Sequence, residues 1–272
     1  MIALTAPLDV ARILRTMPIA ARRALATMEV MAEVDSTNAE LLRRRDRGGD
    51  CVLLAESQTA GRGRQGRRWH SPPGGNLYLS LRHGFRRPLT ALAGLPLAVA
   101  VAVAEALAGL GIEDVALKWP NDLLRNERKL GGILIESTAA ASGPATMVIG
   151  IGLNIAMPDS GAEIDRPWTD LRDALPAPID RNPIAAAVIA GLIEALPLFD
   201  RDGLTPFLPA WHTRDVLRGR VVEASDGDRQ LAGVSEGVAD DGALILRTER
   251  GVFRLYAGET HLRREPKIAA PA

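Results

Sequence analysis

Three strand-like stretches follow one another closely in the middle of the chain, and their spacing limits the folds open to it. The stretch "DLLRN" is separated from "GGILIEST" only by "ERKL", and "TMVIGIGLNI" follows soon after. Strands joined by short turns pair antiparallel, because a parallel connection needs a crossover of about a dozen residues or more. The spacing therefore predicts an α+β fold with a mixed, largely antiparallel sheet packed with helices, rather than a doubly wound parallel sheet.

The segments around these stretches alternate between strand and helix patterns. Period-two alternation or short apolar runs predict further strands at Met28–Val34, Cys51–Ser57, 76–83 and 115–119. Helices are predicted in a lead-in within residues 1–27, after the capping residues Asp35 and Ser36, in the Ala-rich run Pro88–Leu110, and over Pro183–Asp200 and Leu204–Asp215.

The pattern changes at about Leu217. Four short strand patterns, "RGRVVEA", "RQLAGVSEGV", "GALILRT" and "GVFRLYAG", are separated by the turns "SDGD" and "ADDG" and similar polar residues. Short strands at this spacing predict a small all-β barrel behind an α+β domain. We therefore divide the chain into residues 1–215, a β module at 216–264, and a tail at 265–272.

Charge and cysteine content restrict the function classes. The chain has 33 basic and 33 acidic residues, so its formal net charge is zero. Proteins that bind nucleic acid through its phosphates usually have an excess of basic residues. A chain with equal numbers of basic and acidic residues does not suggest that role. The single cysteine, Cys51, allows no intrachain disulfide and no thiolate zinc cluster. We expect a reducing, cytoplasmic location, with Cys51 an ordinary structural residue.

The apolar run Pro88–Leu110 is the stretch that most resembles a membrane span. Its uncharged part, Pro88 to Ala104, is shorter than the roughly 20 residues that a span needs, and Pro96 interrupts it. Many of its residues are alanine and glycine, which insert weakly into lipid. We therefore expect a core helix that is covered on all sides, with no membrane partner and no N-terminal signal peptide.

A basic loop, "GRGRQGRRW" at residues 61–69, admits three interpretations. It contains the letters of the dinucleotide fingerprint Gly-x-Gly-x-x-Gly, but "SQTA" separates it from the strand before it and "RRWHSPPGG" forbids a helix after it. An RNA-binding arginine tract would sit in a more basic and more aromatic context. The third interpretation is a glycine-hinged lid whose arginines close over a small anionic ligand, because guanidinium forks bind phosphate and carboxylate.

A second polar stretch, "KWPNDLLRNERKLGGILIES", places more candidate residues beside a strand end. Asn121 and Asp122 stand in a tight turn, and the hairpin return brings Lys129 and then a glycine pair close to the same end. Glycine within a strand often marks the close approach of a ligand. The structural alternatives are that Asn121 and Asp122 only cap the turn and that Lys129 is a solvated hairpin residue.

Taken together, these motifs resemble those of the biotin protein ligases. "DSTN", "AESQTAGRGR", "GRGRQGRRWHSPPGGNLYLSL", "KWPNDLL", "RKLGGILIE" and "GIGLNI" occur in that family's order and at similar spacing, over roughly residues 30–262. The resemblance implies a class II synthetase-like catalytic domain followed by an SH3-like barrel. It also implies an ATP-dependent ligase that uses Mg²⁺, forms biotinyl-5′-AMP, and transfers biotin to a lysine of a biotin carboxyl carrier domain of acetyl-CoA carboxylase or a related carboxylase.

The resemblance also implies roles for individual residues. As catalytic residues it gives Lys129, Arg64 and Asp122, with a purely structural Asp122 left open. As biotin-binding residues it gives Ser36, Thr37, Asn38, Gln58, Arg62, Gly63, Arg64, Lys129 and Gly132. As ATP- and adenylate-binding residues it gives Arg62, Arg64, Arg67, Trp69, Asn121, Lys129, Asn154 and Trp168. No side chain is expected to form a dedicated metal site, since Mg²⁺ would arrive on the ATP phosphates with Asn121 orienting or helping to hold it.

Other partners and activities follow less directly. Only about 30 residues precede the first strand of the catalytic domain, too few for a winged helix-turn-helix, so we expect the ligase-only form without DNA binding. Homodimerisation through a sheet edge is left open. The alternative enzymes are lipoate ligases and octanoyl transferases, and the alternative outside catalysis is an RNA- or nucleotide-binding module.

Overall fold

The closely spaced strands belong to a seven-stranded sheet. The computed structural model describes residues 5–44, 48–137, 144–157, 164, 166–226 and 229–262. The sheet has the order β1-β2-β3-β7-β6-β5-β4. Its strands are β1 (Leu25–Val34), β2 (Asp50–Gln58), β3 (Leu77–Phe85), β4 (Ala116–Lys118), β5 (Asp122–Arg125), β6 (Arg128–Ser137) and β7 (Ala145–Leu153). Only β1 and β2 pair in parallel, so the predicted mixed, largely antiparallel sheet is confirmed.

The hairpin between β5 and β6 differs from the expected one by its turn. The sequence suggested a turn over "ERKL", whereas the turn residues are Asn126 and Glu127, with φ of 51° and 57°. Two-residue hairpins favour positive φ at both central positions because this matches the twist of the strands, and asparagine tolerates it. Lys129 therefore lies within β6, opposite Leu124, rather than in a turn.

Helices cover the two faces of this sheet unequally. They are α1 (Val10–Thr16), α2 (Ile19–Ala24), α3 (Thr37–Arg43), α4 (Leu95–Ala108), α5 (Arg181–Asp202) and α6 (Leu208–Arg214). The main core includes α4, α5 and alternate sheet residues such as Leu54 and Ile149. On the opposite face, α3 packs through Leu41 against Leu53 and Val148. Because α3 is short, much of that second face stays open.

The two most apolar helices are core helices. As expected, α4 is almost entirely buried over Leu95–Ala104. Within the described part of the chain, α5 is the helix long and apolar enough to cross a membrane, by length and composition only. Of its apolar window, 67% is buried inside the protein. A mostly buried helix of this composition is typical of a protein core.

The C-terminal β module forms a five-stranded antiparallel sheet with the order β11-β10-β9-β8-β12. Its strands are β8 (Val221–Asp226), β9 (Arg229–Val238), β10 (Leu244–Thr248), β11 (Gly251–Leu255) and β12 (Glu259–Leu262). Two buried hydrogen bonds join this module to Trp119: the indole donates to Gly242 O at 3.0 Å, and Thr260 Oγ1 donates to Trp119 O at 2.8 Å. The module is thus fixed beside the "KWPND" turn. The predicted tail at 265–272 lies outside the described residues.

Candidate active site

A cavity of about 610 Å³ opens on the face of the large sheet that α3 leaves uncovered. Its walls come from the start of α3, the basic loop, the "KWPND" turn, strands β6 and β7, and the beginning of β12. All the residues predicted for the site line this one cavity: Ser36, Thr37, Asn38, Gln58, Arg62, Gly63, Arg64, Arg67, Trp69, Asn121, Asp122, Lys129, Gly132, Asn154 and Trp168. Segments far apart in the sequence therefore meet at one site.

One end of the cavity is polar and uncharged. Ser36 is the N-cap of α3, and its hydroxyl accepts from Ala39 N. The next residue, Thr37, donates its backbone N–H to Gln58 Oε1 at 2.9 Å. Gln58 in turn donates from Nε2 to Ser71 Oγ, also at 2.9 Å. These bonds fix the direction of each amide group before any ligand binds.

Asn38 extends this polar end towards β6. Its amide nitrogen donates to Leu134 O at 3.1 Å and to Glu136 Oε2 at 2.9 Å. Its carbonyl oxygen lies 2.6 Å from Ser80 Oγ, which is fully buried. A Cβ at Gly150 would lie 2.3 Å from the same carbonyl oxygen, so Asn38 can take this position only above a glycine. The sequence did not single out Glu136 or Ser80.

Glycines on β6 and β7 form the floor beneath Trp69. A Cβ at Gly152 would lie 2.4 Å from Trp69 Cε2, and one at Gly132 would lie 3.3 Å from Trp69 Cζ3. The indole can therefore lie directly against the sheet because these positions have no side chain. Lys129 Nζ lies 5.4 Å from the centre of the Trp69 ring, within the range of a cation–π contact.

The basic loop folds back on itself as a small hairpin. Gly63 N donates to Arg67 O at 2.7 Å, and Trp69 N donates to Gly61 O at 2.9 Å. Its tip has positive φ at Gln65, 55°, and at Gly66, 72°. No helix follows Gly66 in the described structure, where residues 67–72 are not helical and a turn at residues 73–75 leads into β3. The dinucleotide-binding interpretation is excluded, whereas the predicted lid motion stays a prediction.

The arginines of the loop contact different parts of the molecule. Arg62 forms a 2.9 Å ion pair with Glu136, and Arg64 Nη1 donates to Asn121 Oδ1 at 3.2 Å. Arg67 forms an ion pair with Glu259 of β12, in the C-terminal module. Arg64 is the most enclosed of them, and desolvation holds the pKa of its guanidinium below the usual value. A phosphate or carboxylate beside Arg64 would offset part of that desolvation.

The "KWPND" turn supplies one lysine, Lys118, and the carboxylate of Asp122, and β6 adds a second lysine, Lys129. Lys129 Nζ lies 2.6 Å from Asp122 Oδ1. Lys118, opposite Asp122 in the β4–β5 pair, also lines the cavity, but its ammonium makes no hydrogen bond with the described residues. Desolvation lowers the pKa of Lys118 below the ordinary lysine value, and nearby Arg166 and Lys129 lower it further, while Asp122 opposes the shift. The quoted motif begins with Lys118, yet sequence reasoning assigned it no role.

Asn154 and Trp168 close the side of the cavity beyond Lys129. Trp168 forms a bridge with Lys129, where Lys129 N donates to Pro167 O at 3.0 Å and Thr169 N donates to Lys129 O at 2.9 Å. Asn154 Nδ2 donates to Thr169 O at 3.1 Å. Asn154 Oδ1 is buried and has no hydrogen-bond partner among the residues that the structure describes. A buried acceptor without a donor marks a place where a ligand N–H or O–H would fit.

The C-terminal module completes the wall with residues that sequence reasoning missed. Gly258, Glu259 and Thr260 line the cavity, and Glu259 forms ion pairs with both Arg67 and Arg166. Desolvation raises the pKa of Glu259, but the neighbouring Arg166 and Arg67 outweigh it, so the net shift is downward. A local sequence pattern could not have linked Glu259 to a loop almost two hundred positions earlier.

The cavity thus combines a neutral, directed hydrogen-bonding end with a cationic end. No cluster of three or more metal-ligating His, Cys, Asp or Glu side chains occurs among the residues that the structure describes. The cationic end suits two anionic groups that repel each other, and the neutral end suits an uncharged polar ring. The arrangement can bring a carboxylate and a polyphosphate together while it holds the rest of the ligand by directed bonds.

Comparisons with known proteins agree with this geometry. Residues 30–154 match the family model described as "Biotin/lipoate A/B protein ligase family", and residues 219–263 match "Biotin protein ligase C terminal domain". The chain is 40% identical over 244 residues to the bifunctional ligase/repressor BirA of Escherichia coli, covering 89% of this chain and 75% of the relative. It is 35% identical over 268 residues to the biotin–[acetyl-CoA-carboxylase] ligase of Mycobacterium tuberculosis, covering 94% and 97%.

A solved structure is similar over nearly the same length. The biotin protein ligase from Aquifex aeolicus in complex with biotin and ATP superposes with a TM-score of 0.75 at 29% identity. The match covers 89% of this chain and 100% of that one. The likeness includes both the large mixed sheet and the smaller C-terminal sheet.

Proposed function

The chain belongs to the biotin protein ligases of the biotin/lipoate A/B protein ligase family, and we propose that its cavity carries out both steps of protein biotinylation. In the first step, a carboxylate oxygen of biotin attacks the α-phosphorus of ATP, which forms biotinyl-5′-AMP and releases pyrophosphate. In the second, a lysine amine attacks the biotinyl carbonyl, an amide forms, and AMP and a proton leave. The acceptor lysine is in the biotin carboxyl carrier domain of acetyl-CoA carboxylase or a related carboxylase.

The observation that carries this proposal is the meeting of the two kinds of binding surface in one cavity. Thr37 and Gln58 are held in fixed directions at the neutral end. Arg64, Lys129 and Lys118 face the cationic end. The ureido ring of biotin is uncharged and needs directed donors and acceptors, whereas its carboxylate and the ATP phosphates need cations. A cavity for one of these groups alone would not need both surfaces.

Adenylation is the step that depends most on the cationic end. A carboxylate and a triphosphate repel each other, and charge shifts to the leaving pyrophosphate as the reaction proceeds. Arg64 and Lys129 would offset this repulsion at the reacting oxygens, and Lys118, whose ammonium makes no hydrogen bond with the described residues, would bind the departing phosphates. Preorganised cations of this kind stabilise the transition state because they need no rearrangement as charge develops.

Acyl transfer needs a group that takes a proton from the acceptor lysine. Asp122 is the carboxylate at the "KWPND" turn, and in the structure it forms an ion pair with Lys129. When Lys129 turns to the phosphate, Asp122 is released to accept that proton. Asp122 therefore holds Lys129 before ATP binds and acts as the base in the second step.

Mg²⁺ is compatible with the residues at the phosphate end. This ion keeps several waters and is usually held by substrate phosphates and one or two protein oxygens. Asn121 Oδ1 and the Asp122 carboxylate are the oxygens available at the turn. When bound, Mg²⁺ would neutralise phosphate charge. Asn121 would also orient Arg64 through their hydrogen bond.

The competing enzyme class in the same family acts on lipoate or octanoate. Such substrates have an apolar chain in place of the ureido ring, so they would form no directed hydrogen bonds with the polar groups of Thr37, Asn38 and Gln58 that line the neutral end. The test is to incubate the purified protein with ATP, labelled biotin and a carrier domain, with labelled octanoate and lipoate in parallel. Label on the carrier lysine from biotin alone is expected. Transfer of octanoate or lipoate without biotin would refute the proposal.

A further inference from the structure

A buried hydroxyl, that of Ser80, lies directly behind the neutral end of the cavity. Ser80 is on β3, is fully buried and does not line the cavity. Its Oγ lies 2.6 Å from Asn38 Oδ1 and 2.7 Å from Thr37 Oγ1. Both neighbours can accept a hydrogen bond, but a serine hydroxyl has only one hydrogen to donate.

The position of that hydrogen follows from the far side of the network. The Leu134 carbonyl and the Glu136 carboxylate can only accept, so they fix the NH₂ of Asn38 towards themselves. Asn38 Oδ1 then faces Ser80 and can only accept. Two oxygens 2.6 Å apart without a hydrogen between them would repel strongly, so the Ser80 hydrogen points to Asn38. The 2.7 Å contact then requires Thr37 to donate its own hydrogen to Ser80.

A second series of bonds fixes Gln58 in the same way. Ser71 Oγ lies 3.1 Å from the Trp69 carbonyl, to which it must donate. It therefore accepts from Gln58 Nε2, which turns Gln58 Oε1 towards Thr37. That oxygen already accepts from Thr37 N and lies 3.2 Å from Thr37 Oγ1. Since the Thr37 hydrogen points to Ser80, no hydrogen lies between these two oxygens.

We propose that Ser80 is a positioning residue that turns the Thr37 hydroxyl hydrogen away from the cavity, so that Thr37 Oγ1 and Gln58 Oε1 together present lone pairs to a ligand N–H. The inference rests on the proposed function, in which that ligand is biotin and the N–H belongs to its ureido ring. This orientation of the Thr37 hydrogen makes the neutral end selective for a ligand that has a hydrogen-bond donor at this position, so that a merely polar ligand does not suffice. Octanoate and the dithiolane of lipoate have no such donor.

The test compares biotin with two lactam analogues in which one or the other ureido N–H is replaced by CH₂. Binding to the whole protein is measured by calorimetry without ATP, so the readout does not depend on ligase activity. The wild type should bind one of the two lactams about tenfold to a hundredfold more weakly than biotin, because a buried acceptor pair is then left without its donor. If both lactams bind as tightly as biotin, the inference is overturned, whatever any variant does.

The variant that tests Ser80 itself is Ser80→Ala. Without Ser80, the Thr37 hydrogen turns to Gln58 Oε1. This hydrogen then occupies the position between the two oxygens where a ligand N–H would otherwise bind. Biotin binding should weaken about tenfold or more, and the wild-type discrimination against that lactam should fall to near parity. Ser80→Thr restores a hydroxyl and should restore the discrimination. The matched control is Ser57→Ala, which removes a largely buried hydroxyl on β2 that lies outside the cavity.

The remaining outcomes separate this inference from the proposed function. A purely structural role for Ser80 would weaken biotin and lactam equally and keep their ratio, and this result would refute the inference. The inference would also be refuted if Ser80→Ala bound both ligands with the same affinities as Ser57→Ala. If the wild type binds biotin with the expected discrimination but never labels the carrier, the proposed function fails while the inference stands. If the wild type binds no biotin at all, both fail.

Discussion

Replacing Lys118 by methionine should impair adenylation while it leaves acyl transfer intact. Lys118→Met keeps most of the side-chain volume and removes a cation that lines the cavity and shares no hydrogen bond with the described residues. One charge pair at about 4 Å and an effective dielectric constant of about 20 contributes about 4 kcal/mol. In the variant, water in the open cavity would replace part of this electrostatic stabilisation. The net loss of transition-state stabilisation should therefore be about 2.7 kcal/mol, which corresponds to about a hundredfold slower adenylation.

The two half-reactions can be measured separately. Pyrophosphate exchange into ATP, with biotin present, reports adenylation, and the transfer of biotin from synthetic biotinyl-5′-AMP to the carrier domain reports the second step. A role on the leaving pyrophosphate predicts a defect in the first assay only. Arg128→Met, which removes an exposed positive charge near the site, is the matched control and should behave as the wild type in both. An equal defect of Lys118→Met in both assays would refute the assignment.

The pKa of Lys118 gives the same prediction a pH dependence. Desolvation lowers this pKa below the ordinary lysine value, so the ammonium of the free enzyme loses its proton earlier as the pH rises. Because kcat/KM reports groups of the free enzyme, kcat/KM for ATP should fall on the alkaline side with an apparent pKa below that of an ordinary lysine. Lys118→Arg, which stays charged, should move that fall to higher pH. An unchanged profile in Lys118→Arg would show that another group titrates there.

Three further variants test other parts of the site. Arg64→Gly removes a half-buried guanidinium from the predicted lid, so the dissociation of biotinyl-5′-AMP should become at least about tenfold faster in a chase experiment. Unchanged retention would exclude the lid role. Lys129→Ala should suppress adenylation by about a hundredfold or more with an unchanged melting temperature, and full activity would return Lys129 to a structural role beside Asp122. Gly152→Ala places a methyl group 2.4 Å from the Trp69 ring and should displace this predicted ATP-binding residue. ATP should therefore bind about tenfold more weakly in titrations while the fold is kept. Wild-type ATP binding would show that the position of Trp69 does not depend on a glycine at residue 152.

Much of the candidate site could be predicted from the sequence because its residues cluster in short local motifs. "GRGRQGRRW", "KWPND" and "RKLGG" each place several lining residues within a few positions of one another. Their order along the chain, together with short hairpin turns, also indicates the sheet that brings them together. The antiparallel pairing of β5, β6 and β7 follows from the same spacing.

The hairpin turn shows where local reasoning fails. "NERKL" contains several polar residues, and polarity alone cannot tell which two of them turn. Positive φ at Asn126 and Glu127 decides it, and this shifts Lys129 from a loop into β6. The shift matters chemically, because a lysine held by a strand beside Asp122 is preoriented, whereas a loop lysine would be solvated.

The features of the site that could not be predicted from the sequence depend on contacts between residues far apart in the chain. Glu136 binds both Arg62 and Asn38, and Glu259 binds Arg67 from the other sheet. Carboxylates to which the sequence motifs gave no role therefore fix the direction of predicted site residues. Because Thr260 also bonds to Trp119 at the "KWPND" turn, the small C-terminal sheet is a wall of the cavity rather than an appendage. Binding of ATP phosphates near Arg67 would compete with Glu259 for the same guanidinium. The free energy of nucleotide binding therefore includes a contribution from the contact between the two sheets. That contribution depends on residues far apart in the sequence, so no single segment indicates it.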